Sequence, residues 1–138
     1  MGKTFQADTP DNAFRVTYHN ASVASDGANA GYVIMRAPNN IKITGAYWTP
    51  YDADQTGHAT SYRRVQIVNG GTAGTGTTVI ASLNITASKA SKSINALSGT
   101  GTVTSGGAVV FSVLTVGGAK NTETILRAGM VQVEYMLL

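Results

Sequence analysis

The sequence predicts an all-β fold: a single-domain antiparallel β-sandwich of the jelly-roll kind, with about eight short strands and little or no helix. Three observations predict it. Apolar and polar residues alternate in short segments, clusters of Gly, Ser, Thr and Asn separate these segments, and no segment shows a convincing helical period. With 138 residues and a mass of 14.3 kDa, the chain is long enough to fold as one domain around its own core.

Residues 1–40 contain two predicted strands, which we expect to pack on the same domain as a main sandwich formed by 41–138. The first strand, 13–19, alternates aromatic and β-branched residues with polar ones. The second, 31–37, ends at a Pro-Asn-Asn turn signal. Residues 1–40 could also serve as an attachment arm.

The stretch 41–69 is the best candidate for the centre of the fold, and its pattern predicts a strand, a polar loop and a second strand in a hairpin-like arrangement. In the first arm Ile41 and Ile43 share one face, and in the second Val65 and Ile67 point inward. The residues between the arms are rich in Pro, Asp and Gly, which favour turns.

The remaining strands are predicted at 78–86, 94–97, 108–116 and 130–138, with Gly- and Ser-rich loops between them. On the first of these, one face is formed by Val79, Ala81, Leu83 and Ile85. The segment 122–128 could form one short helical turn.

The strand at 108–116 is apolar on both faces. Val110, Leu114 and Val116 lie opposite the face that carries Phe111. An antiparallel strand in a small sandwich usually has one wet face. Either a loop covers the second face, or that face is buried in a contact between subunits, because large exposed apolar patches are rare in monomers.

Three aromatic residues, Tyr47, Trp48 and Tyr51, lie where the first arm of 41–69 enters its loop. The strand phase places Trp48 opposite Ile41 and Ile43, which predicts a contact surface at one end of the sandwich. A bulge at Gly45 would reverse that phase and put Trp48 inside.

Composition excludes several functions. The chain has no cysteine, which rules out disulfides, zinc–thiolate sites and thiol nucleophiles. Its net charge is only +3, and the basic residues are scattered, so we expect no nucleic-acid partner. The N-terminus lacks the apolar stretch of a signal peptide, the longest apolar-rich run, 108–116, is too short to span a membrane, and we expect no membrane partner.

No pattern of residues predicts catalysis, and we expect no enzyme activity, no cofactor and no metal. The acidic pair Asp52 and Asp54 resembles the opening of a calcium loop, but Arg63 stands where that loop needs a glutamate. His58 has the neighbours of a hydrolase triad, yet the sequence has no Gly-x-Ser-x-Gly elbow.

From Gly45 onward, the chain resembles the small β-sandwich proteins of tailed bacteriophages that decorate capsids as head-surface or head-fibre subunits. The resemblance lies in Asp54-Gln55-Thr56-Gly57 with Ser61-Tyr62, in Val68-Asn69-Gly70-Gly71 with Gly74-Thr75-Gly76-Thr77, and in the closing Gly129-Met130-Val131-Gln132-Val133-Glu134-Tyr135. It implies a virion protein on the capsid surface, synthesised in the bacterial cytoplasm, with the major capsid protein as partner and a homotrimer as the assembly.

Two other classes of function stay open at this point. A carbohydrate-binding jelly roll would bind glycans on exposed aromatic residues such as Trp48 and Tyr51. A small β-barrel enzyme or nucleic-acid binder is the other class. Nucleic-acid binding would need basic residues interleaved with aromatic ones on one face, for which Tyr62-Arg63-Arg64 is the one short candidate.

Overall fold

The computed structural model describes residues 13–23, 29–117 and 125–138, and these residues confirm an all-β sandwich. The described residues contain no helix. The strands are β1 (Ala13–Asn20), β2 (Ala30–Arg36), β3 (Ile41–Pro50), β4 (Tyr62–Gly71), β5 (Thr78–Asn84), β6 (Asn95–Leu97), β7 (Gly101–Val103), β8 (Ala108–Val116) and β9 (Gly129–Leu137). Within the possible attachment arm, 1–40, the strands β1 and β2 each join a sheet, while 1–12 and 24–28 lie outside the described residues.

The strands form two antiparallel sheets with jelly-roll connectivity. The first sheet has the order β1-β9-β3-β6, with β7 also paired to β3, and the second has the order β2-β8-β4-β5. Four sets of strand pairs are nested around the β4–β5 turn. From the turn outward they are β4–β5, then β3 with β6 and β7, then β2–β8, and last β1–β9. The chain is therefore one long hairpin that has rolled up, and the pairs β3–β9 and β4–β8 complete the two sheets.

The hairpin predicted within 41–69 is wrong. β3 and β4 are both strands, but they belong to different sheets, and the connection between them crosses from one sheet to the other. The alternation predicted which side chains are buried, since Ile41, Ile43, Val65 and Ile67 are all fully buried. Alternation shows which face of a strand is buried, but it does not identify the neighbouring strand, because both sheets bury one face in the same way.

The core fills the space between the two sheets. Its largest fully buried apolar side chains are Trp48, Phe111, Ile41, Ile43, Ile67, Ile85 and Leu126. They come from both sheets and from the connecting segments. Each such side chain contributes about 1.5–3 kcal/mol to stability through its removal from water, so these seven residues are a main source of the fold's stability.

A β-bulge in β3 places Trp48 in this core. The pairing with β9 shifts between Ile43 and Gly45, so Thr44 has no partner of its own. The shift reverses the phase of the strand, and Trp48 is 0% exposed. Its indole Nε1 donates a hydrogen bond to Asn20 Oδ1 at 3.1 Å. The prediction that Trp48 lies at a contact surface is therefore wrong.

Three further local features differ from the prediction. The register of β5 against β4 shifts between Ile67 and Val68, and Val79 consequently points outward, with 48% of its surface exposed. The short strand β7 lies within a segment predicted as loop. In the predicted helical turn at 122–128, the described residue Leu126 instead forms a β-bridge with Val23, and 122–124 lie outside the described residues.

In the parts of the chain that the structure describes, no helix is long and apolar enough to cross a membrane.

Candidate functional site

The outer face of the second sheet carries a row of valines, one from each strand. Val33 of β2 pairs with Val110 of β8, Val110 pairs with Val68 of β4, and Val68 pairs with Val79 of β5. We call Val33, Val68, Val79 and Val110 the valine face. The two outer members, on the edge strands, are 51% and 48% exposed. Of the two central members, Val110 is partly exposed and Val68 is only 6% exposed. β-Branched side chains in adjacent register pack well on a pleated surface, so the four form an apolar row that is open mainly at its two edges.

A groove of about 300 Å³ runs along this face. Its lining consists of small, apolar and neutral polar residues: Gln66, Val68, Gly76, Thr77, Val79, Val110, Ser112 and Leu114. None of them is charged or aromatic. The groove therefore suits an apolar protein surface better than a nucleic acid or a sugar ring that would stack on an aromatic platform.

The β4–β5 turn shapes one end of the groove. Gly71 and Gly74 adopt φ angles of 66° and 79°, which residues with a Cβ rarely adopt. A Cβ on Gly74 would lie 3.9 Å from Val33, so the turn folds back toward the valine face. Arg36 fixes the turn, since its Nη1 donates to the Thr72 carbonyl at 2.6 Å.

The charged side chains near this face lie at its ends and are engaged. Arg36 is bonded to the turn, and Arg64 Nε donates to Asn84 Oδ1 at 2.7 Å. The row next to the valines contains only Gly31, Ser112, Gln66 and Ser82. Two adjacent rows at the centre of the sheet thus carry no charge.

The structure brings together the predicted interface residues of β8. Val110 and Leu114 both line the groove, and Val116 continues the same outward face at the end of the strand, paired with Tyr62. All three are partly exposed. Tyr47 lies on β3 of the other sheet, Tyr51 follows the end of that strand, and neither lines this groove.

The outer face of the first sheet has a different chemistry. Arg15 of β1 pairs with Glu134 of β9, and its Nη2 donates to Glu134 Oε2 at 3.0 Å. In the neighbouring register row, Gln132 of β9 pairs with Tyr47 of β3. We call Arg15, Tyr47, Gln132 and Glu134 the Glu134 face. These residues line a cleft of about 220 Å³ together with Ile94, which is 73% exposed.

The bulge that buries Trp48 also places Gly45 beside two residues of this cleft. A Cβ on Gly45 would lie 3.2 Å from both Tyr47 Oη and Glu134 Oε1. The tyrosine hydroxyl and the carboxylate therefore converge above a residue that has no side chain. On the opposite side of Tyr47, its partner on β6 is the small, exposed Ala96, which leaves room beside the ring.

Tyr51 lies at one end of the sandwich and is half-buried there. Its hydroxyl contacts the His19 ring, and the two ring centroids are 5.8 Å apart. Nearby, the fully buried Gln55 holds two segments together: its amide donates to the Ile125 carbonyl at 2.8 Å and accepts from the Arg127 N–H at 2.8 Å. These contacts are structural ties and form no open platform.

The acidic loop does not form a metal cage. Asp52 and Asp54 are exposed, and Asp54 Oδ1 accepts a hydrogen bond from the Ser91 N–H at 2.8 Å. Arg63 is buried on β4 with 1% exposure. Among the described residues, no group of three or more His, Asp or Glu side chains could hold a metal ion.

No family model matches the chain, and no curated protein matches it. Among solved structures, the chain is similar to the CBM22-1 and GH10 modules of the Clostridium thermocellum endo-1,4-beta-D-xylanase 10B, complexed with xylohexaose. The TM-score is 0.31 at 10% identity, and the match covers 92% of this chain and 26% of that chain. A similarity at this level assigns neither fold nor ligand.

Sequence reasoning missed Val33, Val79, Arg15 and Glu134 as surface-site residues. The signal for the two valines was partly present, because each lies on a predicted strand with apolar neighbours. No local signal could pair Arg15 with Glu134, since 119 positions separate them. That contact depends on the closing of the jelly roll.

Proposed function

We propose that the chain is a non-enzymatic structural subunit that decorates the outer surface of a bacteriophage capsid as a homotrimer. The observation that carries the proposal is the valine face, an uncharged apolar band across a whole sheet with both ends exposed. Exposed apolar patches of this kind mark protein–protein contacts, since leaving them in water is unfavourable. The resemblance to capsid decoration proteins supplies the identity of the larger partner.

The position of the exposed valines favours a ring over a face-to-face dimer. Val33 lies on the edge strand β2, and Val79 lies on the opposite edge strand β5 of the same sheet. A closed ring needs two different patches on each subunit, because its contacts are head to tail. The Val33 edge of one copy and the Val79 edge of the next would provide them, and the uncharged central rows bring no like charges together.

The assembly is tested by the mass of the native chain in solution. Light scattering after gel filtration at micromolar concentration should give three times the chain mass of 14.3 kDa. A mass of one chain would remove the proposed assembly. A mass of two chains would contradict the head-to-tail ring and favour pairing of identical faces.

Capsid binding is tested separately, by sedimentation with purified bacteriophage heads from which the decoration proteins have been stripped. We expect saturable binding with a fixed number of copies per head, which surface adsorption would not give. Failure to bind any head, together with a confirmed trimer, would leave a self-assembling protein and overturn the capsid role.

A second candidate function, a carbohydrate-binding jelly-roll module, has one observation in its favour. Of the two aromatic platforms predicted for it, Trp48 is buried and Tyr51 contacts His19. Tyr47, however, is directed to the outer face beside a carboxylate, an amide and a guanidinium. Glycan binding would therefore have to use the Glu134 face.

A further inference from the structure

Three adjoining depressions on the first sheet share Glu134. The cleft with Tyr47 and Ile94 has a volume of about 220 Å³, and two others, of about 210 and 280 Å³, lie on the Phe14 side of Glu134. Together they form an extended track across the outer face from β6 toward the start of β1. A track of this shape suits a chain-like ligand better than a single compact molecule.

The polar groups along the track can both donate and accept hydrogen bonds. The guanidinium of Arg15 donates, the carboxylate of Glu134 accepts, and the amide of Gln132 does both. The Tyr47 hydroxyl also donates or accepts. A sugar hydroxyl has the same dual character, so a row of hydroxyls can be satisfied by these side chains in many orientations.

The aromatic ring adds an apolar surface at the centre of the track. Tyr47 is half-buried, and its small neighbour Ala96 leaves space over one side of the ring. Ile94 is 73% exposed and extends this apolar surface. The C–H face of a pyranose or furanose ring is apolar while its rim is polar, which matches an aromatic platform bordered by hydrogen-bonding groups.

The charge balance favours a neutral ligand. Arg15 and Glu134 form an ion pair at 3.0 Å, so the two charges of the cleft lining offset each other. An anionic ligand would compete with Glu134 for the guanidinium, and a cationic one would compete with Arg15 for the carboxylate. A neutral hydroxyl can bond to either group while the pair stays intact.

We propose that the Glu134 face binds a neutral oligosaccharide, with Tyr47 as the stacking platform and Arg15, Gln132 and Glu134 as hydroxyl-binding groups. The proposal deepens the carbohydrate-binding alternative and needs no capsid assembly. It assigns the ligand to the face opposite the valine face, so one subunit can assemble through one sheet and bind a glycan through the other.

The test uses the full chain on an array of neutral oligosaccharides (glucans, xylans, mannans and galactans) and of anionic ones that carry uronate or sulfate. The strongest neutral binder is then titrated by calorimetry. We expect binding to at least one neutral class, and Tyr47→Ala should weaken it about tenfold or more, since central aromatic contacts dominate binding energies. Tyr47→Phe keeps the ring and should lose less.

Tyr51→Ala is the matched control, because Tyr51 lies at the end of the same strand but outside the track. This variant should bind as the native chain does. If Tyr47→Ala does not fold, as judged by circular dichroism, Tyr47→Phe and Glu134→Gln replace it, and both should still weaken binding.

Three results would overturn the proposal. The first is no binding to any neutral glycan, and the second is binding to anionic glycans only, in a form that added salt abolishes. The third is equal affinity in the native chain and in the folded Tyr47 and Glu134 variants. Each is independent of the solution mass, so a failure here leaves the proposed trimer standing, and a monomer does not affect the glycan result.

Discussion

The two outer faces of this sandwich are built on the same kind of strand but have opposite chemistry. The valine face offers an uncharged band with a groove and no aromatic side chain. The Glu134 face offers an ion pair, an amide and one tyrosine around a cleft. Since both sheets bury their inner faces in one core, this difference does not come from folding requirements. It fits the proposal that one face assembles with other subunits and the other binds a glycan.

A single bulge in β3 sets much of this contrast. Without the shift between Ile43 and Gly45, Trp48 would face outward and Tyr47 inward. With it, the larger ring is in the core and the tyrosine is on the surface beside Glu134. Bulges commonly re-aim a side chain next to a functional surface, and this one turns Tyr47 toward the proposed glycan site.

The largest expected effect is the difference in stability between alanine variants of these two adjacent aromatic residues. Trp48→Ala removes a fully buried ring and leaves a cavity, which should cost about 3–5 kcal/mol of unfolding free energy. Tyr47→Ala removes a half-buried ring on the surface and should cost about 1 kcal/mol or less. Urea unfolding followed by circular dichroism measures both, because Trp48 is the only tryptophan and its loss removes the fluorescence signal. Equal losses would show that Tyr47 is part of the structural core.

The next largest expected effect is on assembly, where a substitution on the valine face should change the solution mass and one on the Glu134 face should not. Val79 and Gln132 both lie on outer faces, the first at an exposed edge of the valine face and the second on the Glu134 face. Val79→Asp places a charge in the proposed contact between the Val33 and Val79 edges and should reduce the solution mass to that of one chain, because burying an unpaired charge is costly. Gln132→Asp should leave the mass unchanged. If both variants keep the native mass, the valine face is not the assembly surface.

Sequence patterns predicted the buried side chains of each strand far better than the exposed ones. The fully buried Ile41, Ile43, Val65 and Ile67 were all predictable, because burial imposes period-2 alternation on each strand by itself. Trp48 was misplaced because a bulge depends on pairing with β9, which no local pattern reveals. The same limit applies to Val79, whose outward direction follows from a shift against β4.

Surface sites depend on neighbours that are remote in sequence. Val110 and Leu114 could be singled out because their strand is apolar on both faces. The valine row needs four strands in register, and the Arg15–Glu134 pair needs β1 to lie beside β9. These contacts arise only once the jelly roll closes, so the sequence predicts parts of each face but not the face itself.

A smaller effect concerns the ion pair of the Glu134 face. The Arg15 and Glu134 side chains are 53% and 35% exposed, so water and salt screen their attraction. Glu134→Gln should change the unfolding free energy by about 1 kcal/mol or less and leave the solution mass unchanged. Chemical unfolding at low and high salt measures the first quantity, and light scattering the second. A loss well above that value would mean that the carboxylate serves the fold, and the contrast between the faces would weaken.

The smallest effect concerns the edge where β1 and β2 bring the two sheets together. Tyr18 and Tyr32 stack there with ring centroids 5.7 Å apart. Burial, and secondarily the charge that Tyr32 can carry, raises the pKa of Tyr18 above its ordinary value of 10.0. The folded chain therefore keeps this proton where the unfolded chain releases it. The stabilisation is fully present below the unfolded pKa and is lost as pH rises through the folded one.

Tyr18→Phe removes the ionisable hydroxyl at this edge but keeps the ring stack. Between about pH 8 and pH 11 the native chain should lose slightly more stability than the variant, as measured by urea midpoints. Tyr62→Phe, on the outer face of the second sheet, is the control for the loss of any phenol. The difference should be small, because Tyr18 is only partly buried. If the two variants follow the same pH dependence, Tyr18 has no special role where the sheets meet. If Tyr18→Phe alone flattens the curve, both the protonated Tyr18 hydroxyl and the ring stack stabilise the edge where β1 and β2 bring the two sheets together.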